Sequence, residues 1–320
     1  MTLVSVAGFD VGQARAQNVT QWSALQREDL RLASVADGLL RANAHLCRNT
    51  MPVTGLILHS ADQYPDGAAQ ARFANGPVAV AAIVPGSPAA RAGILPDDGI
   101  LEIGGEPTDA LLTMGRGNLR ESAFDLLTRQ PSGDSFQLRI ARNGVDLDFI
   151  ILAPPGCRTL VEILVGTGPR ARSDGRVIQM QYDFAGELDD AQMAIVLAHE
   201  LAHTVLEHRR RKEEAGIDNG MFAELGRNQQ ANRAAEVEAD RLSVHLLANA
   251  GYDPAIAPFF WRSDVGHRLG GGAMPSFVYP SQEARAQLIE QEIALYLPQR
   301  RGPSWPGHLL ASRERGFSAD

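Results

Sequence analysis

The run "AIVLAHELAHTVLEHRRRK", Ala194 to Lys212, fixes the reading of the second half of this chain. Ile195, Val196, Leu197, Leu201, Val205 and Leu206 recur at helical spacing, so the segment reads as a buried helix. Asp189 or Asp190 is suited to cap its start, where the helix dipole favours negative charge. The basic run Arg209 to Lys212 falls at the other end and reads as a solvated terminus. His199 and His203 are four residues apart, so they leave one face of the helix, one turn apart. Glu200 is turned about 100° from His199. Two readings fit these residues: a metal site, or two packed histidines satisfied by backbone groups. A buried Glu200 without a partner would be costly, and a metal gives that carboxylate a purpose.

A second stretch, "AAEVEAD" (residues 234–240), lies on a helix expected over 231–249 that stops at Gly251. Glu236 and Asp240 again share a face, one turn apart. A catalytic zinc takes three protein ligands and leaves a fourth position open. His199, His203 and Glu236 can supply the three, for one Zn2+ per chain, while Asp240 can hydrogen-bond a ligand imidazole and fix its tautomer. Glu238 faces another way and is the less suited ligand. Glu200, beside the metal rather than on it, suits a general base, because zinc lowers the pKa of a bound water to about 7.

The remaining chain frames these helices. It has 320 residues, 44% of them apolar and 21% charged, as in ordinary globular proteins. A net charge of −8 argues against a nucleic-acid partner. No apolar run reaches the roughly 18 residues that a transmembrane segment requires. Residues 1–20 read as a tail or the remnant of a signal peptide, with Ala14-Arg15-Ala16 as a small-x-small cleavage pattern. A helix is expected over 22–46 and a strand over 54–60. From 75 to 153 strand-like runs alternate with Gly and Pro, and Asn143-Gly144 signals a hairpin. This reads as a β-rich module of a size that folds independently. A helix is expected over 282–296, after a glycine-rich loop at 270–272. Cys47 and Cys157 match no zinc spacing, and by themselves are either a disulfide or two unrelated thiols.

"HELAH" followed by "EVEAD" resembles the gluzincin metallopeptidases of family forty-eight, the group of the HtpX, Oma and CAAX prenyl proteases. The resemblance implies zinc, endopeptidase activity on polypeptide substrates and a mostly helical catalytic domain. It carries over onto His199, Glu200, His203, Glu236 and Asp240 without a gap. Many relatives have a late His-Pro followed by an arginine; here "FVYPSQEAR" offers Tyr279-Pro280 and Arg285. Tyr279 is thus a candidate catalytic residue, its hydroxyl able to stabilise an oxyanion, or else a packed loop tyrosine. His267 and Tyr252 are weaker candidates for that role. "VPGSPAARAGILPDDGILEIGGEP" resembles bacterial PDZ domains, with Asp98-Gly99 in place of the usual Gly-Asp. That resemblance implies an extended peptide added to a sheet edge, in a groove between "PVAVAAI" and the helix near 118–130, or else a spacer that binds nothing.

The expected fold is therefore α+β: a peptidase domain split into residues 21–74 and 154–320, with a PDZ-like domain inserted at 75–153. Cys47 and Cys157 flank the insertion, which favours a disulfide and with it the periplasm or cell envelope over the cytoplasm. The leading expectation is a zinc endopeptidase. The alternatives are a peptide-docking protein with a latent or structural zinc, and a helical scaffold without metal.

Overall fold

The computed structural model describes residues 10–64, 70–113, 119–166, 170–217, 226–269, 281–298 and 301–317. It is of mixed α+β composition and divides into two compact units. One is built on Thr54–Leu152, with the chain up to Arg31; the other comprises Leu32–Val53 and the chain from Ala153 onward. Helix α1 runs Asp10–Ala42, beginning well before the expected Trp22 and ending earlier than expected, with a short 3-10 turn at Ala44–Leu46. A short strand β1 (Thr50–Pro52) follows.

The first unit contains β2 (Leu56–Ser60), β3 (Val78–Ile83), helix α2 (Pro88–Ala92), β4 (Gly99–Ile103), β5 (Glu106–Pro107), helix α3 (Leu119–Thr128), β6 (Ser135–Arg142) and β7 (Val145–Leu152). The strands form one sheet in the order β2-β3-β4-β6-β7, with β5 on β4. On β6, Phe136, Leu138 and Ile140 are buried and alternate with more exposed residues, the period-2 pattern of a strand with one face in the core. Asn143 and Gly144 both have positive φ in the two-residue turn that joins β6 to β7, with Arg142 opposite Val145. The boundary expected at residue 75 is corrected here. Strand β2 pairs with β3 and belongs to this sheet, so the unit starts at Thr54. Gly55 is where the chain enters it, at φ +78; a Cβ there would lie 2.2 Å from that of Ser87, the N-cap of α2.

The second unit holds β1, β8 (Pro155–Cys157), β9 (Leu160–Leu164), β10 (Ala171–Ser173), β11 (Val177–Gln181) and helices α4 (Tyr182–Glu187), α5 (Asp190–Val205), α6 (His208–Glu214), α7 (Gly226–Asn249), α8 (Ile256–Arg262), α9 (Asp264–Leu269), α10 (Gln282–Tyr296) and α11 (Gly307–Leu310). Strand β1 pairs antiparallel with β8, Thr50 opposite Cys157, so the chain leaves and re-enters this unit at adjacent positions. Beside that pairing Cys47 and Cys157 form a disulfide, with 5.4 Å between their Cα atoms. The other three strands make a small sheet in the order β10-β11-β9, leaving β10 at an edge. Leu32, Val35, Ala36, Leu39 and Leu40 bury one face of α1, and Asn43 at its end donates to the carbonyls of Leu39 and Leu246. That ties α1 to the last turn of α7.

Candidate metal centre

Helix α5 starts where its cap chemistry dictates. Asp189 accepts from the Gln192 backbone and the Gln192 side chain returns a bond to the Asp189 N–H, a reciprocal capping box. From Met193 to Leu206 almost every apolar side chain is buried, so the helix runs through the interior of its unit. It packs along α7, whose Ala235 and Ala239 are fully buried, as are Ala198 and Ala202 of α5. Small side chains at these positions let the two backbones approach closely.

That packing brings together His199, His203 and Glu236. His199 Nε2 is 3.2 Å from Glu236 Oε2 and 3.3 Å from His203 Nε2; His203 Nε2 is 3.6 Å from Glu236 Oε1. Tetrahedral bonds of about 2.0–2.1 Å put ligand atoms roughly 3.3 Å apart, so the separations fit one zinc ion. The donor set fits as well, two imidazoles and a carboxylate, all within 4.8 Å of one another.

A further group, His245, Glu292 and His308, also gathers within 4.8 Å. Its geometry differs: Glu292 Oε1 is 2.9 Å from His245 Nε2 and 2.7 Å from His308 Nε2, and its Oε2 accepts from Arg241 at 2.7 Å. These are hydrogen-bond separations, and the carboxylate is already satisfied by three donors. This group is a buried polar clamp joining α7, α10 and α11.

Behind the two imidazoles of the cluster lie carboxylates, one met directly and one through a further histidine. Asp240 Oδ1 lies 3.0 Å from His199 Nδ1, close but poorly aligned for a hydrogen bond. Arg285 of α10 grips Asp240 with two charge-assisted bonds of 2.8 and 2.6 Å, and its guanidinium lies 3.5 Å over the ring of Trp261. Trp261 in turn meets His199 edge-on. Gly266 allows this arrangement: a Cβ there would fall 2.3 Å from the Phe260 carbonyl and 2.8 Å from the Trp261 Cα. On the other side, His203 Nδ1 is 2.8 Å from His208 Nδ1, and His208 Nε2 is 3.0 Å from Glu238 Oε2. Glu238 also accepts from Arg211 at 2.6 Å and Ser312 at 3.2 Å.

The electrostatics favour a cation. Burial disfavours charge on His199, yet Asp240 and Glu236 outweigh it and raise its pKa to about 10. Burial also opposes the charge of Asp240, and Arg285 and His199 hold it ionised below the usual range. Glu238 behaves alike: burial opposes ionisation, but His208 and Arg211 bring it down to about 2. His203 is driven well below 6.5, chiefly by burial, and so presents a neutral imidazole. Glu200 is pushed up to about 7, first by burial, while a backbone hydrogen bond from Ser173 on edge strand β10 pulls the other way.

Several sequence expectations change. The basic run is not one solvated terminus. It sits on α6, where Arg209 and Arg210 pair with exposed or half-buried glutamates, but Arg211 is buried against Glu238 and the Phe317 ring. Glu238, expected to face another way, is hydrogen-bonded to His208, which meets the candidate ligand His203. Tyr279, like the glycine-rich loop 270–272, lies outside the described residues. His267 is on α9, and Tyr252 follows α7; among the described residues neither side chain bonds the three-residue cluster. In the first unit β3, expected to border a groove with this helix, is an inner strand, and among the described residues the sheet edge beside α3 is β2. The Ser60 and Asp62 side chains accept from the first backbone N–H groups of α3, fixing one end of that edge to the helix.

The class defined by this architecture is an α+β chain carrying a β-rich module and a His-His-Glu cluster on two packed helices. Residues 79–142 match the family model for the PDZ domain. Over 123 residues the chain is 32% identical to the mitochondrial metalloendopeptidase OMA1 of Arabidopsis thaliana, a match covering 32% of this chain and 24% of that protein. The chain thus spans about a quarter of the length of this curated relative. Among solved structures it is similar to the HtrA-type protease AlgW with a decapeptide, at 21% identity and a TM-score of 0.26 over 33% of this chain and 30% of that one. It is also similar to the serine endoprotease from Yersinia pestis, at 23% identity and a TM-score of 0.20 over 24% and 25%. No described helix is long and apolar enough to cross a membrane.

Proposed function

We propose that this chain is a zinc-dependent endopeptidase that hydrolyses peptide bonds of polypeptide substrates. The observation that carries the reading is the set of three separations among His199, His203 and Glu236, 3.2 to 3.6 Å, with Glu200 on the same helix. Zinc, when bound there, supplies Lewis acidity toward water and the scissile carbonyl. His199, His203 and Glu236 hold it, and Asp240 keeps the His199 ring in place. Glu200 takes the proton of the attacking water and passes it to the leaving amine, a role suited to a carboxyl poised near neutrality. Tyr279 is a candidate oxyanion donor. The PDZ domain recruits or gates the substrate, with the open edge of β2 receiving an extended segment as an added strand. A disulfide persists in an oxidising compartment, which points to the periplasm or cell envelope; the resemblance to the HtpX and Oma proteases is what implies a place in protein quality control there.

The test pairs metal analysis with an assay on an unfolded protein substrate, using the native chain and Glu200→Gln. The expected result is one zinc per chain in both and cleavage by the native chain alone. Zinc at one equivalent with both proteins equally inert would favour a peptide-docking protein with a latent or structural zinc instead.

A further inference from the structure

Residues 301–317 lie along the second unit as a strap that meets it at three places. At the first, the Ser304 N–H donates to Asn249 Oδ1 and the Ser304 hydroxyl meets His245 Nδ1, each at 2.6 Å, which pins the strap to α7. At the second, His308 reaches Glu292 of α10 at 2.7 Å and stacks on Tyr296, while Leu309 and Leu310 of α11 are buried. At the third, the strap meets α6. The carbonyls of Arg313 and Arg315 accept from Arg210 Nη2 at 2.9 Å and Arg211 Nε at 3.1 Å, and Ser312 Oγ donates to Glu238 at 3.2 Å. Phe317 ends the strap: its ring centre is 4.1 Å from the Arg211 guanidinium, and it packs with Ile217, Ala231 and Ala235.

Helix α6 does not hold its place by itself. It has seven residues, and isolated helices shorter than about 12–15 residues are marginal in water. Its N-cap, Glu207, sits at φ +54 and makes no side-chain cap bond, so neither length nor capping fixes its start. Outside the strap, Arg209 ties α6 to the Asp174 carbonyl from an exposed side chain, and His208 and Arg211 tie it to Glu238. Glu238 accepts from Nη1 and Nη2 of Arg211; the Nε proton goes to the strap, and so does the aromatic contact. The helix so held touches the ligand cluster. His208 Nδ1 is 2.8 Å from His203 Nδ1, and Ala235, in the Phe317 cluster, adjoins Glu236 on α7.

We propose that Ser312 and Phe317 are positioning residues. By holding α6 they fix the place of His208, and through it the orientation of the His203 ring toward His199 and Glu236. The proposal rests on the zinc reading above. It makes the geometry of a site carried by α5 and α7 depend on a segment that the His-Glu-x-x-His and Glu-x-x-x-Asp spacings do not reach.

The test uses the full chain, as the native protein, as Ser312→Ala combined with Phe317→Ala, and as the milder Phe317→Leu, which keeps apolar packing but removes the ring. Hydrogen exchange read by mass spectrometry is compared on the zinc-free proteins over α5, α6 and α10. The double variant is expected to exchange about 10-fold or more faster over residues 208–214, with α5 and α10 unchanged and Phe317→Leu in between. The second readout is the visible absorption of cobalt bound in place of zinc, which reports ligand geometry. Its bands should shift in the double variant, and zinc affinity from chelator competition should fall by about 10-fold. Unchanged exchange over 208–214 overturns the proposal. Faster exchange there, with native cobalt bands and zinc affinity within twofold, overturns it as well, since the strap would then hold α6 without positioning a ligand. If α5 also loses protection in the double variant, Phe317→Leu is judged by the same two criteria. A native chain that binds neither metal removes the zinc reading, and this positioning role with it.

Discussion

The pair Asp240–Arg285 offers the sharpest test of how the site is built. The two side chains are 0% and 2% exposed and are joined by bonds of 2.8 and 2.6 Å. Arg285→Met removes the guanidinium but leaves a flexible side chain able to lie on Trp261. Asp240 is then a buried charge whose remaining partner is a poorly aligned imidazole. Breaking such a pair from one side costs up to about 3–5 kcal/mol, because the surviving charge stays desolvated and keeps only the partial compensation of His199. Asp240→Asn takes the paired carboxylate from the buried arginine and is destabilising as well. Combining the two removes both charges, so the double variant loses less than the sum, by a coupling energy of about 2–3 kcal/mol. Urea unfolding of the four proteins, followed by tryptophan fluorescence with a chelator present, gives the cycle; zinc competition on the same set gives a parallel loss of about 10-fold or more. Additivity within about 0.5 kcal/mol would refute the reasoning, since it would mean that the arginine does not compensate the carboxylate behind His199.

Other outcomes follow from groups elsewhere in the fold. In the PDZ unit, burial first and then Arg72 lower the pKa of His59 to about 4, while its Nδ1 stays 2.8 Å from the Tyr64 hydroxyl. Because the folded pKa lies below the unfolded 6.5, this contribution is complete above pH 6.5 and is lost as pH falls toward 4, about 3 kcal/mol in all. Thermal melts of the native chain and His59→Phe across that window should diverge, and parallel curves would count against it. The Cys47–Cys157 bridge closes a separation of 110 residues, so its removal relaxes the unfolded chain by up to about 4.7 kcal/mol. Denaturation midpoints of the second unit should fall in Cys47→Ser and on reduction of the native chain. Equal midpoints with and without reductant would contradict this.

What was legible in the sequence was what one helix or one turn encodes. The four-residue spacings of His199 with His203, and of Glu236 with Asp240, place side chains on shared faces whatever the surroundings, and the Asp189 cap and the Asn143-Gly144 turn are equally local. Those spacings named a candidate ligand set, whose side chains the packing of α5 on α7 brings within 3.2 to 3.6 Å. What spacing does not carry is which other element arrives behind each face. Glu238 pointed away from Glu236 and looked idle, and Arg211 sat in a basic run that looked solvated, until α6 folded back and set His208 between His203 and Glu238. Arg285 is 45 residues from Asp240 and reaches it only because α10 packs on α7. Strand β2 was assigned to the wrong side of a boundary for the same reason: strand pairing is a non-local hydrogen-bonding choice, and its partner β3 lies beyond an intervening loop. The sequence by itself determined the candidate ligands and the chemistry open to them. Tertiary packing alone decided what holds those ligands in place, because buried protons and charges are fixed by neighbours that the chain order does not put side by side.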